Sequence, residues 1–206
     1  MNRRRKSTDL PGLETLALQQ GGYFRREDAH AYGISDRMLS YHTRTGRFEH
    51  VLPGVFRLAS APISANDDLL LAWVWSRYRG AISHESALAL YGLSDLMPTR
   101  VHLTVPPHER RRTNLFVLHR ARLAADEVAP YGGVRATRPA RAIVEAAAVG
   151  ADPEQIQRAI HQALDRALMT PDQLRAAAER SRYRNRRAVQ RLVEETLGHA
   201  ATAAWR

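Results

Sequence analysis

Residues 21–59, GGYFRREDAHAYGISDRMLSYHTRTGRFEHVLPGVFRLA, constrain this chain more than any other stretch. They hold two short helix patterns separated by a glycine-containing turn and followed at once by a hairpin signal. A helix over RREDAHAY stops at Gly33, Ser35 supplies an N-cap oxygen, and a second helix runs from Asp36 to Thr45 before Gly46 ends it. The runs RFEHVL and VFRLA then flank Pro53-Gly54, a pair whose backbone preferences suit a tight turn between two strands. Helix, turn, helix and wing in that order present one helix to the major groove of DNA.

A period of 3.6 sorts the second helix. Leu39 and His42, with Ile34 before them and Phe48 after, share an inward face, which leaves Asp36, Arg37, Ser40, Tyr41 and Arg44 outward and Ser35 at the helix start. An arginine forks onto guanine or onto phosphate, and Ser and Tyr reach phosphates and base edges. A lone polar helix face is most often merely solvated; the hairpin directly behind this one turns the reading toward DNA. Arg47 and Arg57 on the hairpin, and Arg3, Arg4, Arg5 and Lys6 ahead of the first helix, are placed for phosphate or minor-groove contact.

The rest of the composition agrees with a polyanionic partner. The formal net charge is +10, and Lys6 is the one lysine among 31 basic residues. The absence of cysteine excludes disulfides, a thiol nucleophile and any cysteine-based zinc site. No apolar run approaches the roughly 18 residues of a membrane span, and no apolar segment follows the basic N-terminus, so the expectation is a cytoplasmic protein with no membrane partner.

Along the chain, Leu13 to Gln20 reads as a helix packed beneath the helix-turn-helix, and Tyr23-Phe24 as a short strand against the wing. Small and turn residues over 60–65 mark a boundary, giving a winged domain with a basic arm over 1–60 and a second domain over 63–206. The second domain opens with a helix from Asn66 to Tyr78, whose apolar residues supply its core. A helix capped at Ser83 and stopped by Gly92 follows, then strands at Arg100 to Val105 and Leu115 to Arg120 around the link PPHERRRTN. GGVRATRPARAIVEAAAVG reads as a strand running into a helix, with Pro139 in its first turn, and helices over Pro153 to Leu168, Pro171 to Glu179 and Asn185 to Leu197 complete the chain. The fold class is therefore α+β and predominantly helical: a winged helix-turn-helix, then a mixed domain with a small sheet and several helices. Arg180, Arg182, Arg184, Arg186, Arg187 and Arg191 crowd into RSRYRNRRAVQR, which reads equally as a surface for nucleic acid or an acidic partner and as a solvated helix partly balanced by Glu194 and Glu195.

The succession of these segments resembles the AbiEi-type antitoxins of bacterial toxin-antitoxin systems. GGYFRREDAHAYGISDRMLSYHTRTGRFEHVLPGVFRLA is similar to the winged-helix domain of that family, and ISHESALALYGLSDLMPTRVHLTVP and GVRATRPARAIVEAAA resemble the start and the middle of its antitoxin domain. The resemblance implies an autorepressor that binds inverted repeats of double-stranded DNA in its own promoter. It also implies an antitoxin that counters a nucleotidyltransferase-type toxin without necessarily forming a stable complex with it. A winged helix on an inverted repeat acts as two copies, either monomers or a dimer assembled on the DNA.

Signs of catalysis are missing. No Gly-Ser phosphate loop with paired carboxylates, Walker loop or kinase motif is present. The pairs Asp67-Asp68, Asp126-Glu127 and Glu194-Glu195 diverge by about 100° where they lie on helices. Nine histidines show no H-E-x-x-H or comparable spacing. Ser83-His84-Glu85 holds the residue types of acyl transfer, but consecutive residues do not converge; Ser83 is expected to cap its helix and Glu85 to favour the helix dipole. No catalytic residue, metal site or cofactor is expected. Two other readings stay open: enzymatic, kinase-like modification of the toxin, and a plain winged-helix transcription factor with a ligand-sensing second domain.

Overall fold

The computed structural model describes residues 7–203. The basic arm, Arg3 to Lys6, lies outside the described residues. Contacts divide the chain into two units, residues 1–80 with 132–134, and residues 81–131 with 135–206. The architecture is α+β and mainly helical, as the patterning predicts.

In the first unit, α1 (Leu10–Leu18) starts at Asp9, whose carboxylate accepts from the Gly12 N–H at 2.9 Å. It is followed by β1 (Tyr23–Arg25), α2 (Arg26–Ala31), α3 (Asp36–Arg44), β2 (Phe48–Leu52) and β3 (Val55–Leu58). β3 lies between β1 and β2, antiparallel to both, so the Tyr23-Phe24 strand does pair with the wing. Leu13, Ala17, Ile34, Leu39 and Phe48 close around Phe24, whose ring meets Phe48 edge-on at 4.9 Å and stacks on Phe56 at 5.7 Å. Ile34, Leu39 and Phe48 are thus on the inward face assigned to them, and His42 is half-buried against Phe48.

The expected boundary at residues 60–63 falls inside this unit. The apolar helix α4 (Asp67–Trp75) packs on β1 instead of forming the core of a second domain. Three contacts explain the difference. Tyr23 donates its hydroxyl to Asp67 Oδ2 at 2.6 Å, and Tyr78 donates to Asp28 Oδ2 at 2.5 Å while the Arg25 guanidinium lies over the Tyr78 ring. Gly21 and Gly22 have φ of +65° and +91°, and a Cβ on them would stand 2.6 Å from Leu70 Cδ1 and 2.4 Å from Ala61 Cβ, so this approach of the chain requires glycine.

Arg57 departs from its expected place. It is buried, at 6% exposure, and donates to the carbonyl oxygens of Leu58, Ala61 and Pro62, which pins the turn leading to α4. A buried guanidinium needs acceptors, and the two Nη atoms of this one find them on backbone carbonyls, while its buried Nε has no hydrogen-bond partner.

The second unit is built on a five-stranded sheet. Its strands are β4 (Ala81–Ile82), β5 (Val101–Val105), β6 (Phe116–Arg120), β7 (Val128–Tyr131) and β8 (Val134–Thr137), in the order β6-β5-β4-β8-β7. The sequence pattern marks β5, β6 and β8; β4 is too short to show a period, and Pro130 disguises β7. β5 and β6 are parallel, so the loop over 106–115 must run back the length of a strand. Arg120 holds that loop by donating to the carbonyls of Glu109 and Arg111. Helix α5 (His84–Tyr91) packs on α6 (Pro139–Ala148), an alanine-rich and largely buried helix against which α7 (Pro153–Asp165), α8 (Pro171–Arg180) and α9 (Arg186–Ala203) also pack.

A polar cluster occupies the interior of this unit. His102 and His119 share one face of the β5–β6 pair with Thr104, because His102 registers with Val117 and Thr104 with His119. The Ser83 N–H donates to the His102 carbonyl at 3.0 Å, which sets His84, wholly buried, over that face with its ring stacked on His119 at 3.5 Å. Burial, reinforced by the neighbouring His119 and His102, lowers the His84 pKa to about 2. Burial likewise lowers His119 to about 4 and His102 below its ordinary value. Glu145, at 1% exposure, is raised by burial against the opposing pull of Arg141, which bridges Glu145 and Glu127 at 2.8 Å each.

Two outcomes follow from this packing. Arg57→Ala removes the guanidinium from the carbonyls of Ala61 and Pro62, while Leu58 O keeps the Ala61 N–H, and lowers unfolding stability by about 1–3 kcal/mol, read from urea melts. Acid destabilises the second unit through its histidines: they stay neutral when folded but bind protons below about pH 6.5 when unfolded. Stability is therefore lost as pH falls from about 6.5 towards about 4 for His119 and about 2 for His84. The slope is on the order of 1.4 kcal/mol per pH unit for buried His84 and smaller for half-buried His119, with Glu145 pulling in the opposite sense. Thermal melts between pH 7 and 4 read this slope, and His119→Asn makes it shallower.

Candidate nucleic-acid interface

Helix α3 begins where Ser35, in extended backbone, turns its hydroxyl to accept from the Met38 N–H at 3.4 Å. Asp36 is exposed but not free: His30 Nε2 lies 2.9 Å and Arg26 Nε 3.5 Å from its carboxylate. The one acid on this face is thereby balanced by α2. Arg37, Ser40, Tyr41 and Arg44 are all exposed, Tyr41 by 53%, and Arg37 and Arg44 make no ion pair among the described residues. Inward, burial and the nearby Arg47 lower the pKa of His42, so the helix underside is neutral where it meets Phe48.

A groove of about 420 Å³ separates α3 from the wing. Arg26, Ser40, Arg44 and His50 line its polar side, and Leu39 and Phe56 its floor. Arg26 and His50 are functional candidates that the helical pattern misses: one lies on the preceding helix, and the other is an exposed wing residue whose ring rests on Phe56 at 5.0 Å. Neither carries a distinguishing signal in the sequence: Arg26 sits among the charged residues Arg25, Glu27 and Asp28, and His50 is one polar residue of a short strand.

The hairpin arginines do not join this face as expected. Arg57 is removed from it by burial. Arg47 is exposed, but its guanidinium is committed to Glu14 of α1 at 2.6 Å, an ion pair that ties the base of the wing to the first helix.

In the second unit the Arg-rich stretch is not one helix. α8 ends at Arg180, which pairs with Asp126 at 3.0 Å, and α9 begins at Arg186. Between them Tyr183 turns inward, its hydroxyl 2.8 Å from His84 Nε2, while Arg182, Arg184, Arg186, Arg187 and Arg191 are exposed. Glu194 does not balance this run; it pairs with Arg175.

Ser83 holds the N-cap position of α5, but its hydroxyl makes no capping hydrogen bond. Its hydroxyl accepts from Thr104 Oγ1 at 2.8 Å and lies 2.9 Å from His84 Nδ1. The divergence of consecutive residues holds for regular helix, and His84, at φ +53°, is outside it. Ser83 and His84 are both wholly buried, so this pair offers no nucleophile to a substrate. Glu85 takes no part; the carboxylate nearest His84 is Glu145, at 3.8 Å from Nδ1. His84, His102 and His119 converge across a helix start and two strands, a clustering that no linear spacing reveals.

The family described as "Transcriptional regulator, AbiEi antitoxin" matches residues 13–59, the helix-turn-helix and wing. The "AbiEi antitoxin C-terminal domain" matches residues 80–195, more than half of the chain. Comparison with curated proteins gives no match. Among solved structures, the RV2827C protein from Mycobacterium tuberculosis shares the fold, with a TM-score of 0.57 and 17% identity over 93% of this chain and 79% of that one. No helix among the described residues is long and apolar enough to cross a membrane. With a regulator domain carrying an exposed basic helix and an antitoxin domain behind it in sequence, the chain belongs to the AbiEi antitoxin family.

Proposed function

We propose that this antitoxin represses its own promoter in the cytoplasm by seating α3 in the major groove at each arm of an inverted repeat. One observation carries the reading: Arg37, Ser40, Tyr41 and Arg44 stand exposed on one helix face whose only acid, Asp36, is already engaged by His30 and Arg26. That arrangement leaves two guanidinium groups to fork onto base edges or phosphates. Ser35 supports the helix start, Arg26 and His50 meet the backbone beside the groove, and Arg47 contributes less because Glu14 holds it. Two copies meet on the repeat, and the pairing is imposed by the DNA.

The second unit, on this proposal, counters a nucleotidyltransferase-type toxin without enzymatic chemistry of its own. The burial of Ser83 and His84 supports this over a modifying enzyme. Arg182, Arg184, Arg186, Arg187 and Arg191 offer a basic surface to an acidic partner or to nucleic acid.

Gel-shift titration of the upstream region at fixed salt tests the interface. Arg37→Ala and Arg44→Ala each weaken binding by about 1–3 kcal/mol where a base contact is lost, yet still relieve toxicity when co-expressed with the toxin. Wild-type affinity in both variants removes α3 from DNA reading, and a covalently modified toxin in mass spectra replaces the non-enzymatic reading. The arm is tested by salt dependence: deleting residues 1–7 lowers affinity for specific and random DNA alike and flattens the slope of log K against log salt.

A further inference from the structure

The polar cluster of the second unit has a composition that its packing role does not require. One ring nitrogen from each of His84, His102 and His119 lies within 4.8 Å of the other two, and His119 Nε2 is 3.3 Å from His102 Nδ1. We propose that these three histidines form a binding site for one divalent transition-metal ion of the zinc class, with the Tyr183 hydroxyl or a water as fourth ligand.

Four observations support the site. The separation of His119 Nε2 from His102 Nδ1 already matches the nitrogen-to-nitrogen edge of a tetrahedral zinc site, about 3.3 Å for Zn–N bonds of about 2.0–2.1 Å. The wider edges close when the His84 and His119 rings, now face to face, splay about their side-chain torsions. Neutral aromatic rings prefer an offset or edge-on arrangement, so little is lost by that movement.

The surroundings supply what metal-bound histidines need on their far edge. At Nδ1 of His84 stand the Ser83 hydroxyl at 2.9 Å and Glu145 Oε2 at 3.8 Å; at Nε2 stands Tyr183 at 2.8 Å. Whichever edge of the ring turns to the ion, the other keeps an oxygen partner to fix its tautomer. Glu145 Oε2 is buried and has no hydrogen-bond partner, an uncompensated acceptor that a metal-bound imidazolium-like ring nearby would offset. Three imidazoles with one oxygen suit zinc or a similar borderline ion and not calcium or magnesium, which take oxygen ligands. Such an ion would join β5, β6, the start of α5 and the link between α8 and α9 at one point.

The test uses the full chain without a histidine tag, stripped with chelator and desalted. The expected result is one zinc bound per chain, a thermal midpoint raised by zinc, and four-coordinate d–d absorption when cobalt replaces it. His102→Ala and His119→Ala abolish stoichiometric binding, whereas His50→Ala on the wing leaves it intact. Because the chain has no cysteine, His119→Cys adds the one thiolate, and a sulfur-to-cobalt charge-transfer band reports coordination at that position even if the alanine variants fail to fold. Failure to retain zinc, undiminished binding in the His102→Ala/His119→Ala double variant, or metal-loaded His119→Cys without that band overturns the proposal.

Discussion

The cost of burying a charge organises this arginine-rich chain. A guanidinium taken out of water must find acceptors for its donors or it destabilises what surrounds it, and Arg57 and Arg141 answer that need in different ways. Buried Arg57 places its two Nη atoms on backbone carbonyls at the exit of the wing, and half-buried Arg141 pairs with the carboxylates of Glu127 and Glu145. Others are spent on local ties, as Arg47 on Glu14 and Arg180 on Asp126. Arg37 and Arg44 on α3 and the exposed arginines over 182–191 are among those that carry charge at the surface without an ion pair among the described residues.

The geometry of the proposed DNA-reading face depends on packing that lies beneath it. Phe24 of the edge strand β1 meets Phe48 of β2 and Phe56 of the middle strand β3, so the wing and the helix-turn-helix share one aromatic core. That fixes the groove between α3 and the hairpin. α4, laid over β1 through the glycine pair and the two tyrosine-carboxylate hydrogen bonds, covers the opposite side of the same small sheet. A winged helix of this size buries little apolar surface by itself, and the added helix enlarges its core.

In the second unit, neutrality takes the place of pairing. Glu145 has Arg141 as its counter-charge, but the three histidines are packed together without carboxylates to match them, and burial keeps the rings unprotonated.

The sequence by itself determined the local elements that carry strong periodic or capping signals. The turn at Gly33, the cap at Ser35, the inward set Ile34, Leu39 and Phe48, and the outward set of α3 all follow from short-range rules that act within one or two turns of chain. Its basic excess and order of elements were enough to point to DNA and to the antitoxin family. Only the tertiary structure decided where α4 belongs, since an apolar helix reads the same whichever neighbour covers it. Only packing buried Arg57, because alternation along a short strand does not say which polar residue will find acceptors inside. Convergence of His84, His102 and His119 likewise required two parallel strands and a helix start to meet, a long-range arrangement with no linear spacing to betray it.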